Sequence, residues 1–332
     1  MDPGYSKRDN PAMEALDPHT LDRLRQRVAA HHLALRLGIE QEAEARIFGQ
    51  GRTFFHPENW RTLTRLLGAG LHLSGLRAWA RRNARRIQLH HNPVVVPHLP
   101  VAFEGFRVLH ITDLHLDLAD DVPHVLSEAV RNLDYDLCVL TGDYRFRTHG
   151  SCRDAIEGLR RLRTHLRGEV LAVLGNHDSL RMVPAMEDLG IAVLLNEHTV
   201  LERQGARLYV AGIDDPHYYR ADNLEKAAEG IPAGVTSILL AHSPEIFRQA
   251  AHSGFDLMLS GHTHGGQICL PGGIPITCNA NCPRAFCSGA WRFRGMQGYT
   301  SRGSGVSILD ARINCPAEIT LHRLTQGSGN PG

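Results

Sequence analysis

Six short apolar runs constrain this chain more than anything else in it: "RVLHIT" (107–112), "LCVLT" (137–141), "VLAVLG" (170–175), "LYVAGI" (208–213), "SILLAH" (237–242) and "LMLSG" (257–261). They are rich in branched residues, and helix-like stretches separate them. Each reads as a strand buried on both faces. Strands broken by helical segments predict an α/β layered sheet. "GVSILDARINCPAEITLHRL" (305–324) reads as closing β-structure.

The runs stop at polar residues of a narrow kind. The first ends in Asp113 and His115, the second in Asp143, the third in Asn176, His177 and Asp178, the fifth in His242, and the last in His262 and His264. In an open α/β sheet, ligands bind outside the carboxyl ends of the strands. Five strand ends therefore present Asp, Asn or His to one rim. Taken singly, a D-x-H or a histidine after a strand is usually structural. Five of them, each after a buried strand, form a pattern. Carboxylate, imidazole and amide oxygen without cysteine suit Mn, Fe, Zn or similar divalent ions. Two such ions about 3.5–4 Å apart can clamp the attacking and leaving oxygens at phosphorus, with one Asp between them. Gly142, Gly175 and Gly261 let the backbone turn sharply and approach closely.

The composition is that of an ordinary globular protein: 332 residues, 42% hydrophobic, 21% charged, net charge +1. That balance names no partner. The start, "MDPGYSKRDN", carries no apolar segment of a secretory signal, so the expectation is a cytoplasmic chain with reduced thiols. Cys278, Cys282 and Cys287 lie close in sequence. A zinc site there would need a fourth ligand and a more usual spacing, so an incidental or structural role is favoured.

Residues 1–16 read as disordered, 17–100 as a helical extension, 101–325 as the main domain and 326–332 as a flexible tail. Leu21, Leu24, Val28, Leu35 and Ile39 follow a helical period. A second helical stretch is expected from Asn59 to Leu89. It holds Arg61, Arg65, Arg77, Arg81, Arg82, Arg85 and Arg86, with no acidic residue between Glu58 and Glu104. Leu66 to Leu76 is uncharged but too short to span a bilayer. Such an arm could lie on an anionic membrane surface, leaving the protein peripheral on the inner membrane. It could equally be a helical hairpin packed on the main domain with its arginines in water.

The series "DLH", "GDY", "GNHD", "AHSP", "GHTHGGQ" resembles the calcineurin-like metallophosphoesterase superfamily over about Phe103 to Leu324. "GHTHGGQICLPGG" and "SRGSGVS…RINCPAEITL" resemble the bacterial branch that holds membrane-associated phosphoesterases and one type of UDP-2,3-diacylglucosamine pyrophosphohydrolase. The resemblance implies a layered β-sandwich flanked by helices and a dinuclear metal site. One ion would take Asp113, His115, Asp143 and His264, the other Asp143, Asn176, His242 and His262, with Asp143 bridging. His177 would be the general acid or a phosphate contact, and Asp178 would orient its ring. A metal-activated water would hydrolyse a phosphodiester or pyrophosphate. "GDYRFR" lacks the Asp-Arg-Gly continuation of phosphoprotein phosphatases and the acidic continuation of cyclic-nucleotide phosphodiesterases.

The basic, leucine-rich arm suits an amphiphilic, lipid-linked substrate such as UDP-2,3-diacylglucosamine. A soluble nucleotide or small phosphodiester is the rival within the enzyme class. A metal-binding interaction scaffold is the rival outside it. Nucleic acid is not expected, because no aromatic residues interleave the basic ones.

Overall fold

The computed structural model describes residues 17–48, 73–307 and 309–327, with side chains described outside 43–48. The expectations for residues 1–16, 49–72 and 328–332 lie outside the described residues.

Two six-stranded sheets stack face to face. The first has the order β1 (Gln88–Val96), β14 (Glu318–Gln326), β2 (Arg107–Ile111), β3 (Leu137–Thr141), β4 (Val170–Val173), β5 (Ala192–Val193). The second runs β12 (Gly289–Phe293), β13 (Met296–Thr300), β9 (Leu257–Ser260), β8 (Ser237–Leu240), β7 (Ala206–Gly212), β6 (Glu197–Arg203). A hairpin of β10 (Cys269–Leu270) and β11 (Ile274–Pro275) stands apart. Strands β2 to β5 are mutually parallel, and so are β7, β8, β9 and β13.

All six runs form strands, and they are buried on both faces for a simple reason. Side chains alternate across a strand. Val108, Val139 and Val173 meet Val210, Leu240 and Leu259 between the sheets. Leu109, Leu140 and Ala172 point the other way, under helices that contribute Leu126, Leu159 and Met186. Across the second sheet, Leu239 and Met258 lie under Phe247 and Trp291. The result is helices, sheet, sheet, helices, which is the expected layered class.

The N-terminal extension is only partly helical. Helices α1 (Pro18–Arg27) and α2 (Ala30–Phe48) form. Asp17 caps the first by accepting from Thr20 N at 3.0 Å, and Pro18 starts it without wasting an N–H. Leu24 and Val28 are buried as the period predicts, but Leu35 is 41% exposed. In α2 the buried stripe is Leu33, Arg36 and Glu40, two of them charged. The second helical stretch ends at Ala84 rather than Leu89, and Gln88–Val96 is a strand paired in parallel with β14. Residues 88–96 therefore belong to the sheet, not to a helical extension. β1 is an edge strand, which tolerates Pro93. The closing segment is also less regular than expected: only Glu318–Gln326 is extended strand.

The Arg77–Ala84 helix packs on the domain through Ala80 and Ala84. Ala80 O accepts from Arg312 N at 3.0 Å. Arg85 is drawn into ion pairs with Asp121 and Asp310, and Arg81 lies 3.1 Å from Asp310. Arg77, Arg82 and Arg86 remain exposed.

Candidate metal centre

At the exits of β2, β3 and β9 the chain turns into the left-handed region just past the strand. Asp113 (φ 52°), His115 (φ 44°), Asp143 (φ 56°), His262 (φ 71°) and His264 (φ 50°) all have positive φ. Such backbone costs about 1–3 kcal/mol per residue and persists where the surroundings over-determine it. Here it turns five side chains back toward one point.

Two glycines make that point reachable. A Cβ on Gly175 would stand 2.3 Å from Asp143 Oδ1, and one on Gly261 would stand 2.4 Å from Asp113 Oδ2. The chain segments pass too close here for any other residue.

The side chains converge in two sets that share Asp143. In one, Asp113, His115, Asp143 and His264 place one ligand atom each within 4.8 Å of the others. His115 Nε2 lies 3.2 Å from His264 Nε2, which in turn lies 3.2 Å from Asp113 Oδ1. In the other set, His242 Nε2 is 3.2 Å from Asp143 Oδ2, 3.0 Å from Asn176 Oδ1 and 3.3 Å from His262 Nδ1.

The outward ring nitrogens fix the tautomers. His115 Nδ1 donates to Arg145 O at 2.6 Å, His242 Nδ1 to Thr141 O at 2.7 Å, and His262 Nε2 to Asn279 O at 2.6 Å. These tautomers are assigned from the hydrogen-bond network. The inward nitrogens of His115 and His262 then carry lone pairs, while the inward Nε2–H of His242 donates toward Asn176 Oδ1 and the Asp143 carboxylate. Oxygens and lone pairs outnumber donors around this point, an arrangement that a cation would relieve. Backbone carbonyls behind metal-ligating imidazoles serve this orienting purpose.

The electrostatics agree. Burial holds His115 down at about 4, and burial also keeps His262 and His264 well below the usual histidine range. Burial pushes the Asp113 carboxyl up to about 6. Burial opposes charge on His242, yet the Asp143 carboxylate lifts it to about 10. Asp143 itself is buried, but the imidazoles of His242, His177 and His115 hold it well below the carboxylate range. The space beside Asp143 calls for positive charge.

His177 reaches the same place, with Nε2 3.8 Å from Asp143 Oδ2 and its backbone N–H on Asp143 Oδ1 at 2.9 Å. Its ring is not oriented by Asp178, contrary to the expectation. His177 Nδ1 donates to Phe146 O at 2.8 Å. The Asp178 carboxylate instead accepts four backbone N–H groups, from Asp143, Tyr144, Arg145 and Gly175. It stitches the exit of β3 to the exit of β4. Burial and the nearby Asp143 charge push its carboxyl up to about 7, and the N–H groups oppose that rise.

Several residues of the site escaped the sequence reading. The exit of β7 carries Asp214 and Asp215, both fully buried. The run "LYVAGI" pointed to them, since it ends as its neighbours do. Arg312 is buried with no carboxylate partner among the described residues, and its guanidinium donates to the carbonyls of His264, Arg302, Gly303, Gly305 and Cys315. No local signal marks it. Cys278 and Cys287 form a disulfide, which corrects the expectation of reduced thiols, and Cys282 stays free close by. The loop they close carries Asn279, the acceptor behind His262.

Residues 106–266 match the family model described as calcineurin-like phosphoesterase. The chain is 30% identical over 237 residues to the uncharacterized metallophosphoesterase YkuE of Bacillus subtilis, covering 68% of this chain and 81% of that protein. The chain belongs to the calcineurin-like phosphoesterases. It is also similar to YkoQ of B. subtilis (28% identical, 67% of this chain, 85% of the relative). Phosphodiesterase YaeI of Escherichia coli is 26% identical over 235 residues, with 66% of this chain and 82% of the relative covered. As a calcineurin-like phosphoesterase the chain is a metal-dependent phosphoester hydrolase, and its candidate metal site includes Asp113, His115, Asp143 and His264. Among the described residues, no helix of this phosphoesterase is long and apolar enough to cross a membrane.

Proposed function

We propose that the chain hydrolyses a phosphodiester or pyrophosphate with two divalent cations, one held by Asp113, His115, Asp143 and His264, the other by Asp143, Asn176, His242 and His262. The observation that carries this reading is the sharing of Asp143: its Oδ2 stands 3.2 Å from His242 Nε2 on one side and 3.9 Å from His115 Nε2 on the other. One carboxylate between two sets of lone pairs is what a bridged pair requires. Bound there, two cations neutralise phosphoryl oxygens and acidify water.

The chain's own residues supply the rest. Asp143 sets the spacing of the two sets. Asn176 contributes a neutral oxygen, which leaves net positive charge for an anionic substrate. His177 keeps its Nδ1–H on Phe146 O, so its Nε2 is the atom that exchanges a proton with the leaving oxygen. Asp178 keeps the β3 and β4 exits in register and touches no substrate.

The substrate we favour is membrane-associated, such as UDP-2,3-diacylglucosamine. Leu73, Leu76 and Trp79 are exposed beside Arg77 and Arg82. Leu270, Ile274 and Ile276 are about half exposed on the β10–β11 hairpin. Arg312 and Asn314 tie the two together, through Ala80 O and Cys269 O. Apolar tips beside exposed arginines suit an anionic lipid face. The similarity to a protein named a phosphodiesterase supports a second reading, a small soluble phosphodiester. A purified-enzyme screen with Mn²⁺ tests both, scoring UDP-2,3-diacylglucosamine against soluble diesters. Turnover of soluble diesters alone selects the second reading. No metal-dependent turnover of either overturns both.

A further inference from the structure

Helix α2 lies outside the residues that match the family model, yet it touches the loop that carries His177. Arg36 is wholly buried. Its guanidinium donates to Asp178 O at 2.9 Å and to Glu40 Oε1 at 2.7 Å, and it lies 3.3 Å from an oxygen of Asp214. The Tyr219 ring covers its other face at 3.2 Å. Glu40, one turn on, accepts from Ser179 Oγ at 2.5 Å and from Leu180 N at 2.9 Å. One helix thus holds three consecutive residues, 178 to 180, immediately after His177. Asp214 is the exit residue of β7, so the same guanidinium joins the second sheet to the β4 exit of the first.

This is more than anchorage. The helix is already fastened from outside by α1, where Arg23 and Arg27 pair with Asp188, Glu187 and Glu197. Those pairs, with the buried Leu24, Val28 and Leu33, already hold α1 and α2 on the domain. Two buried charges on α2 cost desolvation that a leucine pair would avoid. What the charges add is direction: a fork of donors and a carboxylate fix one loop in one place. We propose that Arg36 and Glu40 are positioning residues for His177, so that the N-terminal extension completes the catalytic site of the domain. The proposal rests on the reading of His177 as the group that protonates the leaving oxygen.

Glu40→Gln keeps shape and volume but turns one acceptor oxygen into an NH₂ that must face Arg36, Ser179 or Leu180. The full chain, saturated with Mn²⁺, is assayed on bis-p-nitrophenyl phosphate and on diphenyl phosphate, whose leaving group needs protonation more. Glu40→Gln is expected to lower kcat on diphenyl phosphate about 10- to 100-fold, the cost of a misplacement on the order of 1 Å. The loss on the nitrophenyl ester should be smaller, with KM and metal content unchanged. Combined with His177→Ala it should cost nothing more than His177→Ala alone, because coupled residues are not additive. Arg23→Ala is the comparison: it should lower the melting temperature and leave kcat alone. If Glu40→Gln behaves like Arg23→Ala, or if its loss multiplies with that of His177→Ala, the proposal is overturned. Should His177→Ala itself lose equally on both esters, the acid reading falls, while the cycle still decides whether Glu40 acts through His177. If Glu40→Gln does not fold, Ser179→Ala carries the same cycle: it removes the hydroxyl that donates to Glu40, together with its weaker cap on Arg181 N.

Discussion

Gly175→Ala adds one methyl group to a buried glycine-sized gap, and its effect can be worked out from distances. The new Cβ would lie 2.3 Å from Asp143 Oδ1, 2.6 Å from Asp143 N and 2.9 Å from His242 Cε1. Ordinary contact begins at 3.4 Å, so the carboxylate must retreat by about 1.1 Å and the backbone of Asp143 by about 0.8 Å. Neither is free to do so alone. Asp143 Oδ1 accepts from His177 N, and Asp143 N donates to Asp178. The overpacking should cost about 1–3 kcal/mol of stability. Displacing the shared carboxylate by about 1 Å should cost roughly 100-fold in turnover. Both proposed ions should bind more weakly, because both use Asp143. The assay is bis-p-nitrophenyl phosphate hydrolysis with Mn²⁺, alongside metal content and a thermal melt. Gly38→Ala in α2 is the matched control, since nothing lies within 4 Å of its Cβ. It should leave activity unchanged and stabilise by up to about 1 kcal/mol. A Gly175→Ala protein that binds two ions and turns over like wild type would show that Asp143 is not the bridge.

Asp143→Asn should abolish most activity and weaken both ions together, since an amide oxygen is a poor bridge; two tightly held ions by metal analysis would contradict this. His177→Ala should lower turnover about 10²–10⁴-fold with metal content intact, and less for nitrophenol esters than for poorer leaving groups. Replacing the exposed Arg77, Arg82 and Arg86 by Gln should reduce sedimentation with anionic vesicles and spare activity on a soluble diester; wild-type protein that never binds vesicles would remove the lipid reading. Burial alone would raise the Asp214 carboxyl, but the Arg36 charge and the His32 hydrogen bond hold it below the usual range. A depressed folded pKa means that the unfolded chain takes up protons first, so Asp214 stabilises above about pH 4 and the gain is lost as pH falls through the folded value. Asp214→Asn should therefore flatten the acid limb of melting temperature against pH, and an unchanged limb would refute the assignment.

The sheet strands were legible because β2, β3, β4, β8 and β9 are buried on both faces and need unbroken apolar runs. The metal-facing residues were legible because apolar side chains do not serve at buried strand exits that face other charges, and at β2, β3 and β9 the exit also turns left-handed. β1 was not, because "QLHHNPVVV" follows a basic helix, contains Pro93 and buries fully only Val94 and Val96. Arg36 and Glu40 stayed hidden because a search for an apolar stripe passes over charged residues that pair inside. The part played by Asp178 was misread for a related reason. A carboxylate beside a histidine looks like its orienter, and only the fold shows four N–H groups arriving from 143 to 145 and 175. The Cys278–Cys287 bridge depends on a loop that brings the two Cα atoms to 6.0 Å, which spacing alone does not dictate.

The place of β14 between β1 and β2 has a consequence for how the chain is made. Asn92 and His322, which face each other across that pairing, are 230 positions apart. At roughly 5–20 residues per second, the ribosome needs about 10–50 s to travel between them. Throughout that interval β2 presents an open ladder edge and β1 has no neighbour to join. The edge of β2 is apolar, and unpaired edges of that kind recruit other chains. Slowing translation past residue 318, or removing a holdase chaperone, should therefore raise the aggregated fraction of newly made protein without altering the stability of molecules already folded.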